Sequence, residues 1–184
     1  MLNENQKNKW SDVIGDLSET HMQIFDGAGQ SIAEMRAKTR KMMNQFPFKK
    51  PILFIDYLTL IHSSQFYGGN SHQQVTEISK SLKTKAKDFN CPVICLAQLN
   101  RSVESRAIKR PMMSDIRESG SVEQDADVIL FLYRKSYYDK ETDNHSLEII
   151  ISKNRNGPVG SIAVNYNEHT GRIEDQKELS PSVV

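Results

Sequence analysis

Hydrophobic and polar positions follow two different patterns along this chain, one typical of strands and one of helices. The apolar run 52–55 is too short for a helix, ends at Asp56, and favours a strand covered on both faces. The run 91–97 has the same character and predicts a second buried strand. Between the two runs, apolar residues recur at helical spacing over 75–89. A strand, a helix and a strand at this spacing predict a βαβ unit in a parallel sheet, and therefore an α/β fold.

The rest of the pattern predicts further elements on both sides of this unit. Ser31 and Glu34 form a capping-box sequence, which predicts a helix that Pro47 ends. The last two predicted strands flank a short turn rich in Gly and Pro, which predicts an antiparallel pair at the edge of the sheet. The polar segment 134–145 predicts a hairpin tip, and 176–184 predicts a disordered tail. The predicted elements outside the βαβ unit are an amphipathic helix over 7–18, a strand over 22–25, a helix over 32–46, and strands over 128–133, 147–152 and 161–166.

Composition narrows the class of protein. A chain of 184 residues with 38% hydrophobic and 26% charged residues is ordinary for one globular domain. No run approaches the roughly 18 apolar residues of a membrane span, and the first residues lack the apolar stretch of a signal peptide. Cys91 and Cys95 lie on one apolar segment without nearby histidines, which favours reduced thiols over a zinc site. We therefore expect a cytoplasmic protein that does not enter a membrane.

Two stretches carry candidate chemistry, and each has a plain structural alternative. Asp56 follows a buried strand, where α/β sheets bind ligands and where nucleotide-hydrolysing folds hold Mg²⁺ against phosphates. The run alone equally supports an aspartate that merely starts a turn. Residues 101–117 contain five basic and two acidic side chains, a local net charge of +3. Charge alone favours a solvated loop there, and the alternative is a surface that contacts phosphates of a nucleic-acid backbone.

Several motifs in a fixed order point to one family. The chain resembles the carboxyl-terminal motor domain of DnaB-type replicative helicases from about residue 2 to about residue 171. The match includes the context of Asp56, whose surroundings resemble the Walker B segment of that family. The other matching motifs are Gln98-Leu99-Asn100-Arg101, Glu104, Arg106, Lys109-Arg110-Pro111, Ser114 to Gly120, Glu123-Gln124-Asp125-Ala126-Asp127 and Lys153 to Pro158.

The resemblance implies a RecA-like fold, with a mainly parallel sheet flanked by helices and an antiparallel strand pair near the C-terminus. It also implies a homo-oligomeric ring, usually a hexamer, that uses ATP and Mg²⁺. Asp56 would organise Mg²⁺ through water, and Gln98 would sense the γ-phosphate. Lys153 and Arg155 match a basic pair that reaches the γ-phosphate bound by a neighbouring subunit, as an arginine finger does. Because such cations act on a neighbour, we expect both on the surface with few intramolecular partners.

The same resemblance assigns DNA contacts. Arg117, Glu118 and Gly120 match the loop that tracks the DNA backbone in the central channel of the ring. Gly120 is expected to break the chain before residue 121. The family would bind single-stranded DNA, and a helicase loader and a primase are candidate partners. The basic residues of the preceding segment complete the predicted DNA surface, namely Arg101, Arg106, Lys109 and Arg110.

One family motif is missing. A P-loop needs Gly, four residues and then Gly-Lys-Ser/Thr, and no glycine of this sequence begins that pattern. In the family, the P-loop precedes the Walker B strand, upstream of Met1. We therefore interpret residues 1–175 as the distal part of a RecA-like helicase ATPase domain, whether as a recombinant piece, a split-gene product or a natural truncation.

Two functions follow. Family membership favours an ATP-dependent DNA helicase in replication, although this chain alone is expected to be inactive. The missing P-loop favours a non-hydrolysing module that binds DNA or helicase subunits.

Overall fold

A computed structural model describes residues 3–27, 29–116, 119–139, 141–142, 144 and 146–176. The described helices are α1 (Glu4–Glu19), α2 (Ile32–Gln45), α3 (Ser71–Asp88), α4 (Ser102–Ser105), α5 (Ser119–Asp125) and α6 (Lys135–Tyr138). The described strands are β1 (Leu53–Ile55), β2 (Val93–Cys95), β3 (Val128–Arg134), β4 (Ser146–Asn154), β5 (Gly160–Tyr166) and β6 (Ile173–Asp175). Within this described part, no helix has the length and apolar character needed to cross a bilayer.

The predicted βαβ unit is present. Strands β1 and β2 pair in parallel, with Leu53 opposite Val93 and Ile55 opposite Cys95, and α3 connects them. The apolar face of α3 lies against the inner side of both strands because its buried residues recur at helical spacing. Asn70 caps α3 by accepting a hydrogen bond from the Gln73 backbone N–H. The buried core of this half consists of Leu58, Ile61, Val75, Ile78 and Leu82.

The capping box before α2 is also confirmed. The Ser31 backbone N–H donates to the Glu34 carboxylate at 2.7 Å, and the Glu34 backbone N–H donates to the Ser31 hydroxyl. The hydrogen bonds that the Ser31 backbone N–H and hydroxyl donate to the Glu34 carboxylate hold the pKa of Glu34 below its usual value. Helix α2 ends at Gln45, two residues before Pro47.

Strands β3 to β6 form one antiparallel sheet in that order. The predicted antiparallel pair near the C-terminus is β4 and β5, and β3 joins it on the other side of β4. The three residues of β6 were not predicted, because such a short segment carries no readable alternation. Val122 of α5 packs against the cores of both halves and so connects the two sheets.

The expectation that the strands are covered on both faces is wrong. Phe54 of β1 is 74% exposed and Leu132 of β3 is 64% exposed. The described helices contact the opposite face, where Ile55 packs against the α3 core and Ile129 is buried. One apolar face of each sheet is therefore open to solvent.

Four smaller expectations need comment. Residues 22–25 form no strand, and Ile24 is 80% exposed because no neighbouring strand pairs with this segment. Gly120 does not break the chain, since it lies in the first turn of α5, where the backbone N–H groups need no helical partner. Segment 134–145 joins β3 to its antiparallel neighbour β4, so the predicted hairpin tip is confirmed, and it begins with the short helix α6. In the predicted tail, 177–184 lie outside the described residues.

Candidate functional site

Asp56 and Gln98 lie at the same end of the parallel strand pair. Asp56 directly follows β1, is exposed, and is joined to Tyr57 by a cis peptide bond, whereas Gln98 comes three residues after β2. The hydrogen bonding continues past the strand ends, because the Leu96 N–H donates to the Ile55 carbonyl at 2.9 Å and the Leu58 N–H donates to the Leu96 carbonyl at 2.9 Å. The fold thus places a carboxylate and a side-chain amide on adjacent segments at the carboxyl edge, where α/β sheets bind ligands.

An exposed single carboxylate suits Mg²⁺ held together with phosphates. Among the described residues, no cluster of three or more His, Cys, Asp or Glu side chains could hold a metal ion. Mg²⁺ keeps several waters and is bound by one or two carboxylates plus substrate phosphates rather than by an all-protein cage. Asp56 at the strand end provides that kind of ligand.

Lys153 and Arg155 lie at the end of β4, and the expectation that they have few intramolecular partners is wrong. The Lys153 Nζ donates to the Glu123 carbonyl. The Arg155 Nη2 donates to the Gln124 carbonyl at 3.0 Å, and its Nη1 lies 3.2 Å from the Asp127 Oδ1. The cause is the C-terminal end of α5, whose last carbonyl groups have no helical partners and carry partial negative charge.

Lys153 lines the same cleft as Gly120, a residue of the predicted DNA loop. An open cleft of about 490 Å³ lies between α5 and β4. Gly120 and Lys153 both line this cleft, and a Cβ added to Gly120 would meet only open space. Arg117 and Glu118, the neighbouring predicted DNA contacts, lie outside the described residues. The cleft is lined by Met113, Gly120, Glu123, Gln124, Ser152 and Lys153.

Two arginines of the basic segment are held by carboxylates of the same chain. Arg106 donates from Nη1 and Nη2 to the buried Asp115 carboxylate at 3.0 and 2.7 Å. Arg110 binds both oxygens of Glu148, with Nη2 at 2.6 Å from Oε1 and Nε at 3.1 Å from Oε2. The hydrogen bond to Glu148 raises the pKa of Arg110, and the same bond lowers the pKa of Glu148. These contacts favour a structural role for both guanidinium groups.

The other two basic candidates are placed differently. Arg101 is exposed immediately before α4, three residues after Gln98. The Lys109 Nζ lies 5.2 Å from the centroid of the Tyr138 ring, a cation–π arrangement. Arg101 is therefore the residue of this group that is best placed to contact a DNA backbone next to the candidate nucleotide edge.

Two carboxylates that bind predicted site residues were not recognised from the sequence. Asp115 and Asp127 both lie in segments that resemble the helicase family, but the motif alone assigned them no partner. Asp127 binds Lys83 at 2.5 Å across 44 residues, and no spacing rule detects a pair so far apart. The surplus of basic over acidic residues around Asp115 is the only sequence signal that its carboxylate would be paired.

Comparison with known proteins gives consistent matches. Residues 1–175 match the family described as DnaB-like helicase C terminal domain. The chain is 48% identical over 166 residues to the replicative DNA helicase DnaC of Bacillus subtilis (strain 168). The aligned residues cover 90% of this chain and 36% of that protein. It is 47% identical over 176 residues to the replicative DNA helicase DnaB of Geobacillus stearothermophilus. This alignment covers 92% of this chain and 38% of that protein.

Solved structures agree in fold. A structure described as a DnaB-like replicative helicase and its interactions with primase superposes with a TM-score of 0.89 at 41% identity, and covers 96% of this chain and 42% of that chain. A second structure, described as an ATPase domain, also gives a TM-score of 0.89, at 42% identity, and covers 96% of this chain and 62% of that chain. The chain spans 36% and 38% of the length of the two curated relatives.

Proposed function

Because this chain belongs to the DnaB-like helicase C-terminal domain family, we propose that it is the distal part of a replicative helicase motor that couples ATP hydrolysis to movement on single-stranded DNA. The observation that carries the proposal is the family match over residues 1–175, together with the placement of Asp56 and Gln98 at one edge of the parallel strands. The motor would unwind duplex DNA during replication, in the cytoplasm.

The site residues have distinct roles in this proposal. Asp56 would hold Mg²⁺ through water at the edge of the sheet, and Gln98 would donate a hydrogen bond from its side-chain amide to the γ-phosphate. When bound, Mg²⁺ supplies positive charge to the β- and γ-phosphates. Arg155, with Lys153 beside it, acts on the nucleotide of the next subunit in a ring hexamer. The exposure of half of the Arg155 side chain supports this role, since part of the guanidinium stays accessible to a neighbour.

The proposal also assigns DNA contacts and protein partners. Arg101, Lys109, Arg117, Glu118 and Gly120 are the residues that we propose contact the DNA backbone in the channel. Arg106 and Arg110 stabilise the basic segment through their ion pairs with Asp115 and Glu148. A primase is a proposed partner because one similar structure is described with its primase interactions, and a helicase loader is proposed by family alone.

The missing P-loop is supplied by residues outside this chain. The two curated relatives are much longer than the matched part, and Phe54 and Leu132 lie on the open apolar faces of the two sheets. A preceding segment with the P-loop strand would cover such a face.

A fusion provides the test of the whole proposal. In this fusion, the present chain replaces the matching residues of the Bacillus subtilis relative and is joined to the upstream part of that protein. The assembled product is called the fused ring. It is expected to have the mass of a hexamer by light scattering and to hydrolyse ATP faster with single-stranded DNA. Asp56→Asn is expected to remove that activity. A fused ring of hexameric mass that shows no DNA-stimulated hydrolysis would contradict the proposal.

A second function has one observation in its favour, the lack of a Gly-Lys-Ser/Thr cradle in this sequence. The chain on its own would then be a module that binds DNA or helicase subunits without hydrolysis. In both cases the isolated chain is expected to release phosphate from Mg-ATP no faster than buffer does, because nothing cradles the phosphates. The measurement is steady-state phosphate release with single-stranded DNA. Turnover that disappears in Asp56→Asn would contradict this expectation.

The isolated chain is expected to bind single-stranded DNA weakly and with little sequence preference. Its affinity should fall steeply with salt, because cation–phosphate contacts release counterions. Arg101→Ala should lower the slope of log affinity against log salt by about 0.7, the contribution of one phosphate contact on a single strand. Fluorescence anisotropy of a labelled oligonucleotide at several salt concentrations measures the slope. Arg172→Ala, at an exposed pair with Glu174, is the matched control and should leave it unchanged. Salt-independent binding would contradict backbone tracking.

A further inference from the structure

Arg155 is held by Asp127 through both main chain and side chain. The Arg155 backbone N–H donates to the Asp127 carbonyl at 2.8 Å. The Arg155 Nη1 lies 3.2 Å from the Asp127 Oδ1, and its Nη2 donates to the Gln124 carbonyl at 3.0 Å. The two contacts hold the same end of the guanidinium, so they define its orientation as well as its position.

Asp127 is itself anchored from another element. Its Oδ2 accepts a hydrogen bond from the Lys83 Nζ of α3 at 2.5 Å, and the Lys83 side chain is only 21% exposed. The hydrogen bond from Lys83 is the main cause that holds the pKa of Asp127 below its usual value, and the charges of Lys83, Arg155 and Lys153 add to it. The carboxylate is therefore ionised at neutral pH and links α3 to the end of β4.

The arrangement leaves part of Arg155 available. A guanidinium carries five N–H donors, and these contacts use two of its nitrogens. The side chains of Arg155 and Asp127 are 49% and 50% exposed, so an ion pair here adds little stability. Its consequence is orientation: a long side chain that would otherwise sample many rotamers is held in one direction.

We propose that Asp127 is a positioning residue for Arg155, which it orients through one carboxylate oxygen while Lys83 holds the other. The inference rests on the proposed role of Arg155 toward the nucleotide of a neighbouring subunit. Pre-orientation matters for such a residue because a displacement of about 1 Å can cost on the order of 100-fold in rate.

The first test uses the isolated chain and needs no activity. Slow rotation about the Arg155 Nε–Cζ bond is expected to give separate Nη signals in NMR spectra at low temperature. Asp127→Asn should merge them, whereas Asp125→Asn should not. Asp125 is the matched control because it binds the Ser79 hydroxyl at 2.7 Å rather than Arg155. Separate Nη signals that persist in Asp127→Asn would overturn the inference.

The second test uses the kinetics of the fused ring. Asp127→Asn is expected to lower kcat about fivefold, as an exposed ion pair allows, while the KM for ATP changes less than about twofold. Asp127→Glu should recover part of kcat because it keeps the carboxylate. In an Arg155→Ala background, Asp127→Asn should add less than about a twofold loss, because the two residues act through one group. If Asp127→Asn lowers kcat by the same factor in the wild-type ring and in the Arg155→Ala ring, Asp127 does not act through Arg155. That result would indicate a merely structural role and would overturn the inference.

The outcomes separate this inference from the proposed function. If Arg155→Ala keeps the wild-type rate, the proposed role of Arg155 fails. If Arg155→Ala is inactive and Asp127→Asn keeps the wild-type kcat, only the positioning inference fails.

Discussion

Replacing Arg155 with alanine in the fused ring is expected to lower DNA-stimulated ATP hydrolysis about 10³-fold, the lower end of what arginine fingers contribute. ATP binding should stay nearly unchanged, because the lost interaction is made mostly in the transition state. Single-turnover hydrolysis measures the first quantity, and equilibrium binding of a fluorescent ATP analogue measures the second.

Two further variants control this result. Arg155→Lys keeps the charge but loses the planar fork of donors, so it should recover only part of the rate. Arg172→Ala removes an exposed arginine just before β6 and should hydrolyse ATP at the wild-type rate. An Arg155→Ala ring that hydrolyses ATP as fast as wild type would show that the finger assignment is wrong.

The second large effect is on stability and concerns Asp115. Its carboxylate is nearly buried and accepts hydrogen bonds from Arg106 and from the Met112 backbone N–H at 2.8 Å. Asp115→Ala would leave the Arg106 guanidinium partly buried without its counter-ion. We expect the free energy of unfolding to fall by about 3 kcal/mol, at the low end for a broken buried pair because Arg106 keeps some exposure.

Urea unfolding of the isolated chain, followed by far-UV circular dichroism, measures this loss. Glu174→Ala is the matched control, since Glu174 pairs with Arg172 in a largely exposed position. It should change the free energy of unfolding by less than about 0.5 kcal/mol. Equal effects of the two variants would mean that Asp115 does not anchor the basic segment.

The βαβ unit and α2 could be predicted because their signals are local. Helical spacing marked the buried face of α3, and the capping box of Ser31 and Glu34 marked the start of α2. The antiparallel partners β4 and β5 were predicted for the same reason, since a short turn joins them.

The open sheet face could not be predicted, because burial depends on what lies beyond a strand as well as on its own residues. Phe54 has the apolar character of a buried position yet is exposed. Residues 22–25 show the same effect. Their sequence pattern is typical of a strand, but among the described residues no neighbouring strand pairs with them.

The surroundings of the predicted site residues were likewise beyond the sequence. Asp56 and Gln98 could be placed together because each follows a strand of one parallel pair. The partners of Arg155 could not be predicted, because the carbonyl of Gln124 lies 31 residues away and attracts cations only once α5 has formed. The family motifs predicted which residues carry the function, and the folded chain shows which groups contact them.

Mixing two inactive forms of the fused ring tests whether Arg155 of one subunit acts on the nucleotide site of its neighbour. Asp56→Asn subunits keep the finger but lose their own site, and Arg155→Ala subunits keep the site but lose the finger. In a ring with head-to-tail interfaces, an interface works when an Arg155→Ala subunit supplies the nucleotide site and an Asp56→Asn subunit supplies the arginine. Random mixing in equal amounts gives about a quarter of such interfaces. DNA-stimulated ATP hydrolysis is expected to reappear in the mixed rings. A mixture that stays as inactive as its two components would show that Arg155 does not act on a neighbouring site that contains Asp56.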